Sequence, residues 1–172
     1  MKKIFVLVTA VISTIVLMFS LGVNFARAQE ERDTVIKSCE MTVEQGQIMM
    51  EYGKTLKECP DDKATMMKEG DKMMKAGDTM VKEGGKMKEQ GNTMMKSGKT
   101  KEGDTMMKQG DMMVKNGNMM VNNGKMMMEG KMDKGARTKA GETMIQEGTK
   151  MKEAGKNGIT DFSGSTTDSP RR

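Results

Sequence analysis

The 172-residue chain has no histidine and no tryptophan, and only one tyrosine, four phenylalanines, two prolines and two cysteines. Without imidazole there is no His-based catalytic triad and no His-ligated metal centre. After residue 28 the only aromatics are Tyr52 and Phe162, which leaves no platform for stacking on nucleic-acid bases. Leucine, isoleucine and valine are scarce there too: Leu56, four Ile and five Val. So few large apolar residues normally signal disorder, because the chain cannot bury enough surface to offset its entropy loss. What is present instead is 25 methionines and 20 glycines.

Those two residue types are ordered. From Gly70 to Gly98 the chain reads GDKMMKA, GDTMVKE, GGKMKEQ, GNTMMKS, a heptad opened by Gly with Met three and four residues later. The unit returns at Gly103, Gly110, Gly117, Gly124, Gly141 and Gly148. At about 100° per residue, Gly and the two positions three and four beyond it share one helix face, and polar residues cover the other. Met-Met doublets break the alternation a strand needs, and a Gly-X-Y period is absent. Glycine costs roughly 1 kcal/mol per residue in a helix, and a fully buried Met returns about 1.5–3 kcal/mol. Each repeat is favourable only if its Met face is covered by another helix, a second copy or a membrane surface. Glycine on that face also allows backbones to approach closely. The fold expected is all-α: long amphipathic helices with Gly/Met heptads, arranged as a helical hairpin or a loose three-helix, coiled-coil-like array.

Residues 1–28 have the form of an export signal. Lys2 and Lys3 precede an apolar run from Ile4 to Val23, and Ala26-Arg27-Ala28 has the small-x-small form of a cleavage site. Cleavage after Ala28 gives a periplasmic or secreted protein; the run is also long enough to serve as an N-terminal membrane anchor. Lys2, Lys3 and Arg27 leave with the signal, so 26 basic residues face 24 acidic ones and the mature charge is nearly balanced. The basic character of the whole chain therefore gives no support to nucleic-acid binding.

Four segments follow: signal 1–28, an N-terminal helical segment 29–62 carrying both cysteines, the Gly/Met repeat region 63–155, and a tail 156–172 of linker composition expected to be disordered. Cys59-Pro60-Asp61-Asp62 reads as a helix stop followed by an N-cap. Gly98 to Gly103 spans five residues rather than seven, which rotates the apolar face by about 140° and demands a turn. Residues 129–142 are irregular and give a second turn, with a last short helix over 143–153. Cys39 and Cys59 sit in a compartment that permits disulfides. On one straight helix they are about 30 Å apart, so a bond between them within the chain needs a turn, placed near Gly46.

Catalytic signals are weak. Gly98-Lys99-Thr100 resembles the end of a phosphate-binding loop but lacks the earlier glycine, position 93 being Thr, and lacks a preceding strand. No carboxylate pair suggests acid–base work. The function expected is therefore non-enzymatic, with no cofactor: an exported cell-envelope structural or interaction protein whose Met/Gly faces pack on helices or partners. Self-association, a membrane surface or an apolar client are the partners such a face suits. The alternative is a methionine-rich periplasmic Cu(I)-binding protein, since thioethers are soft ligands. Ligands on one helix should be three or four residues apart, and beyond the signal only Met128 and Met132 are so spaced. Other thioether sites must be assembled between helices. A third reading is an oxidant sink, with Met cycling through its sulfoxide.

Overall fold

A computed structural model describes the backbone of residues 2–164 and the side chains of residues 29–164. Its helices are α1 (Lys2–Glu58), α2 (Lys63–Lys96), α3 (Thr100–Met128) and α4 (Lys134–Ser163), with no strand among the described residues. The all-α array of long helices expected from the repeat is present, and its members number four. Contacts divide the chain into residues 1–34 and residues 35–172. The first unit is helical, with Thr34 Oγ1 donating to the Glu30 carbonyl.

The turns fall where the sequence breaks its rhythm. Asp62 caps α2 by accepting from the Thr65 amide at 2.8 Å, and Asp133 caps α4 by accepting from the Ala136 amide at 2.7 Å. α2 and α3 each end in a glycine of positive φ, Gly98 at 85° and Gly130 at 66°. The following amides, Lys99 and Lys131, reach back 2.9 Å to the Met94 and Met126 carbonyls and close the last turn. α4 is longer than the short helix expected over 143–153, and its last residues, to Ser163, occupy the first part of the segment read as tail.

Glycine sets how the helices meet. In the α2–α3 hairpin Gly70 faces Gly124, Gly77 faces Gly117, Gly84 faces Gly110 and Gly91 faces Gly103. A Cβ on any of these eight would lie 2.5–2.7 Å from the partner's carbonyl oxygen, closer than real side chains tolerate. The same seam joins α1 to α4, where Gly46 faces Gly148, Gly53 faces Gly141 and Gly155 faces the Cys39 carbonyl. In all seven pairs the two residue numbers add to 194, so both seams share one antiparallel register.

This explains the Met-Met doublet. The residue three beyond the seam glycine is a core position: Met49, Met73, Met80, Met106, Met113, Met120, Met144 and Met151 are fully covered, while Met94, beyond Gly91 at the end of α2, is half-buried. The residue four beyond leans over the partner's glycine instead, as Met74 does over Gly124, Met128 over Gly70 and Val121 over Gly77. Lysine stems do the same at Lys88 and Lys57, their ammonium ends left near solvent. Side chains rather than backbones bridge the other two faces. Gln45 Nε2 donates to Glu83 Oε2 at 3.0 Å between α1 and α2, and Lys115 pairs with Glu147 at 3.5 Å between α3 and α4. The Met faces that the sequence left in need of a cover are thus covered within the chain.

Candidate functional site

Two diagonal contacts fix the levels of the core. Thr42 Oγ1 lies 3.9 Å from Met113 Sδ, joining α1 to α3, and Arg137 Nη1 lies 3.7 Å from Met66 Sδ, joining α4 to α2. Both pairs are 71 residues apart. Combined with the seam register, this stacks the buried positions in levels of four. Leu56, Met66, Met127 and Arg137 form one level, and Met49, Met73, Met120 and Met144 the next. Then come Thr42, Met80, Met113 and Met151, and finally Val35, Met87, Met106 and Gly158. Only the second level is built wholly of thioethers, and all four are fully buried. Next to it, Asn123 Nδ2 points at Met144 Sδ from 3.5 Å.

Departures from the repeat gather at two places. At one, Cys39 stands where the seam would have glycine, Thr42 where the core would have Met, and Gly158 where α4 would have Met. The substitutions compensate: a Cβ on Gly158 would lie 2.5 Å from Cys39 Sγ, so the missing side chain on α4 makes room for the thiol on α1. Gln109 Nε2 donates to Cys39 Sγ at 3.2 Å, and the single hydroxyl proton of Thr42 has the Ser38 carbonyl at 3.0 Å and Gln109 Oε1 at 3.3 Å as alternative acceptors. Burial raises the Cys39 pKa above the ordinary thiol value; the Gln109 hydrogen bond opposes it, and Asp161 and Glu40 add to it. A thiol held neutral in this way is a poor nucleophile.

One heptad beyond Gln109 on α3, Asn116 is fully buried, and neither its amide nitrogen nor its oxygen has a hydrogen-bond partner. It lies three residues after Met113 and four before Met120, on the same helix face as both. An amide left so costs about 1–3 kcal/mol.

The second place is the end where both interhelical loops meet. Arg137 takes a core Met position and is only 2% exposed. Its guanidinium donates to the Met132 carbonyl at 3.1 Å, to the Cys59 carbonyl at 3.3 Å and to Asp61, tying the α3–α4 loop to the α1–α2 loop. A cavity of about 550 Å³ opens there, lined by Met66, Met127, Met132 and Arg137 under a charged rim that includes Asp61, Lys63 and Glu129. Desolvation raises the Cys59 pKa, and the Arg137 charge partly opposes the rise. A fixed guanidinium beside three thioethers disfavours a cation in this cavity.

The residues singled out from sequence land apart. α3 ends at Met128, so Met128 and Met132 are not a helical i, i+4 pair. Met128 covers Gly70 on the seam, whereas Met132 is buried in the loop beside Arg137. Cys39 and Cys59 are buried free thiols. α1 continues through Gly46 without the turn their pairing requires, so the disulfide expected as one outcome is not formed. Sequence reasoning missed Gln109, Asn116, Thr42 and Arg137. The signal for two of them, Thr42 and Arg137, was legible as polar residues at heptad positions that elsewhere hold Met, whereas Gln109 and Asn116 stand at a position that is mostly Glu, Gln, Asn or Ala in the repeat. Among the described residues no three His, Cys, Asp or Glu side chains gather as metal ligands. The export signal falls within residues 1–28, outside the described side chains; among the described residues no helix is long and apolar enough to cross a membrane. No family model, curated protein or solved structure matches the chain.

Proposed function

We propose that this protein is a non-enzymatic, exported cell-envelope protein with a structural or interaction role. The observation that carries the reading is the pair of glycine seams, which close the Met faces within one chain. Such a chain needs no second copy and no lipid to cover its core. It presents charged faces to water, and among the described residues the exposed large apolar ones are Met67 and Met95. A partner, whether a second copy, a membrane surface or an apolar client, is therefore met through the outer face rather than through the Gly/Met stripe. The test is circular dichroism at two concentrations a hundredfold apart, with sedimentation of the same samples. Helicity independent of concentration in a monomer supports the reading; a chain that is helical only when associated overturns it.

A second reading, soft-metal binding, is favoured by one specific feature, the level that the seam register fills with one fully buried methionine from each of the four helices. Cu(I) added to the same samples separates the two: a purely structural role leaves stability unchanged, and metal binding raises it.

A further inference from the structure

We infer that the level formed by Met49, Met73, Met120 and Met144 is a buried site for one monovalent soft cation, with Cu(I) and Ag(I) as the ions it suits. This rests on the soft-metal reading above and goes further by naming the ligands and the ion class.

Three observations converge on it. One side chain from each of the four helices ends at this level, each a thioether and each fully buried. Four neutral thioethers, one from each helix, are the donor set that soft, d¹⁰ monovalent ions prefer and that hard cations refuse, and Met144 Sδ would give up the Asn123 amide to join it. No single helix could offer it, because Met residues seven apart along one helix are a full two turns away from each other. The levels on either side are interrupted, by Thr42 in one and by Leu56 and Arg137 in the other.

The second observation is Asn116. Its side chain is fully buried, four residues before Met120 on the same face, and its oxygen and nitrogen both lack partners. In a core of apolar filler this is a pure cost. Beside a cation held by neutral ligands, an unengaged carbonyl oxygen supplies the negative end of a dipole where no carboxylate is near. The third observation is charge. The cost of burying an ion grows with the square of its charge, so a site with no anionic ligand selects a monovalent ion. Arg137, one level away, turns its guanidinium to the Met132 and Cys59 carbonyls and to Asp61, whose carboxylate offsets its charge.

The experiment is an anaerobic titration of the purified chain with Cu(I) held by a competing chromophoric chelator, repeated with Ag(I). Expected is one equivalent per chain that withstands the competitor, with an absorption-edge spectrum showing sulfur ligands only. Met120→Leu and Met144→Leu keep apolar volume and helicity. Each should weaken the site on the order of tenfold or more, as loss of one of four soft donors requires. Met106→Leu, at an interrupted level, should leave it unchanged. Asn116→Leu should weaken Cu(I) while making the metal-free chain more stable, a split that a packing defect does not produce. If Cu(I) binds but is lost in Cys39→Ser and kept in Met120→Leu, the metal sits on the thiol and this assignment falls while the soft-metal reading stands. If wild-type chain with unaltered helicity takes up neither ion, both fall.

Discussion

Gly84 and Gly85 are neighbours on α2 with opposite surroundings, and that contrast tests the seam directly. A Cβ on Gly84 would lie 2.7 Å from the Gly110 carbonyl oxygen and 2.9 Å from the Met113 Cβ; a Cβ on Gly85 meets nothing within 4 Å. Replacing either by alanine gains about 1 kcal/mol of helix propensity. For Gly85→Ala nothing opposes that gain, so stability should rise by about 1 kcal/mol, or roughly 2–4 °C in Tm for a chain of this size. For Gly84→Ala the two backbones must part until a carbon and an oxygen reach about 3.3–3.6 Å, the ordinary limit for such contacts. The parting needed is therefore about 0.6–0.9 Å, and a gap of this size forfeits roughly a quarter to a half of each affected van der Waals contact. Because the glycines at 77 and 91 share the same rigid seam, the loss is not confined to one level. Overpacking of this kind costs about 1–3 kcal/mol, so the net effect is a fall of up to about 2 kcal/mol. Gly84→Ala combined with Gly110→Ala should cost less than the sum of the two, since the second methyl enters a gap the first has opened. The assay is urea and thermal unfolding followed at 222 nm, with coincidence of the two probes as the check on two-state behaviour. Equal stabilisation by Gly84→Ala and Gly85→Ala would refute the reasoning, because it would mean that both residues face open space in solution.

Three further perturbations follow from the core. Asn116→Leu removes a buried amide that nothing satisfies and should stabilise the metal-free chain by about 1–3 kcal/mol, read as a rise in urea midpoint. Arg137→Met restores the repeat's own residue yet leaves the Cys59 and Met132 carbonyls without a donor; stability should drop by about 1–3 kcal/mol, with faster amide exchange in both loops. The folded-state pKa of Cys39 is raised above the unfolded value, so its contribution is complete below the ordinary thiol pKa and is lost as pH climbs through the raised one. Unfolding measured from neutral to alkaline pH should therefore slope less steeply in Cys39→Ala than in the parent, and thiol reagents should label Cys39 only after unfolding.

How much of this was legible in the chain differs from element to element. The heptad announced helices, and the five-residue step at Gly98 announced the turn, because both are properties of angle along one helix. The Asp62 cap was legible for the same local reason. The division of labour within each doublet was not. From sequence, Met73 and Met74 are equivalent neighbours on one stripe, and only the partner helix makes one a core residue and the other a cover for Gly124. Gly158 is the sharpest case. Alone it reads as a lost Met in a decaying repeat; opposite Cys39 it is the space the thiol fills. The four-thioether level was hidden likewise, since its methionines come from positions 49, 73, 120 and 144 and share no local spacing. The length of α4 was missed because a tail rich in Ser, Thr and Gly has poor intrinsic propensity, which the seam at Gly155 and the burial of Phe162 override.

A repeat this regular raises a harder question than stability. If every level were Gly and Met, sliding one helix past another by seven residues would return nearly the same contacts, and many registers would compete. Methionine makes this worse, because its flexible side chain accepts almost any neighbour. The irregular residues answer it. Cys39 fits only opposite Gly158, and Gln109 finds its partners only when α3 brings it level with Cys39 and Thr42. At the loop end the terminal nitrogens of Arg137 find acceptors only when the Cys59 and Met132 carbonyls and Asp61 arrive together, its Nε lacking a partner even then. A seven-residue slip would set Cys39 against a Met and bury the guanidinium without acceptors, costing about 1–3 kcal/mol for the overpacking and about 3–5 kcal/mol for the unpaired buried charge. The regular residues therefore supply cohesion without choosing an arrangement, and the exceptions choose it while adding little cohesion. On that division Asn116 stands apart: it sits among the exceptions by chemistry, yet nothing in the folded chain rewards it. A residue that neither coheres nor specifies register is where a bound ion has the most to contribute.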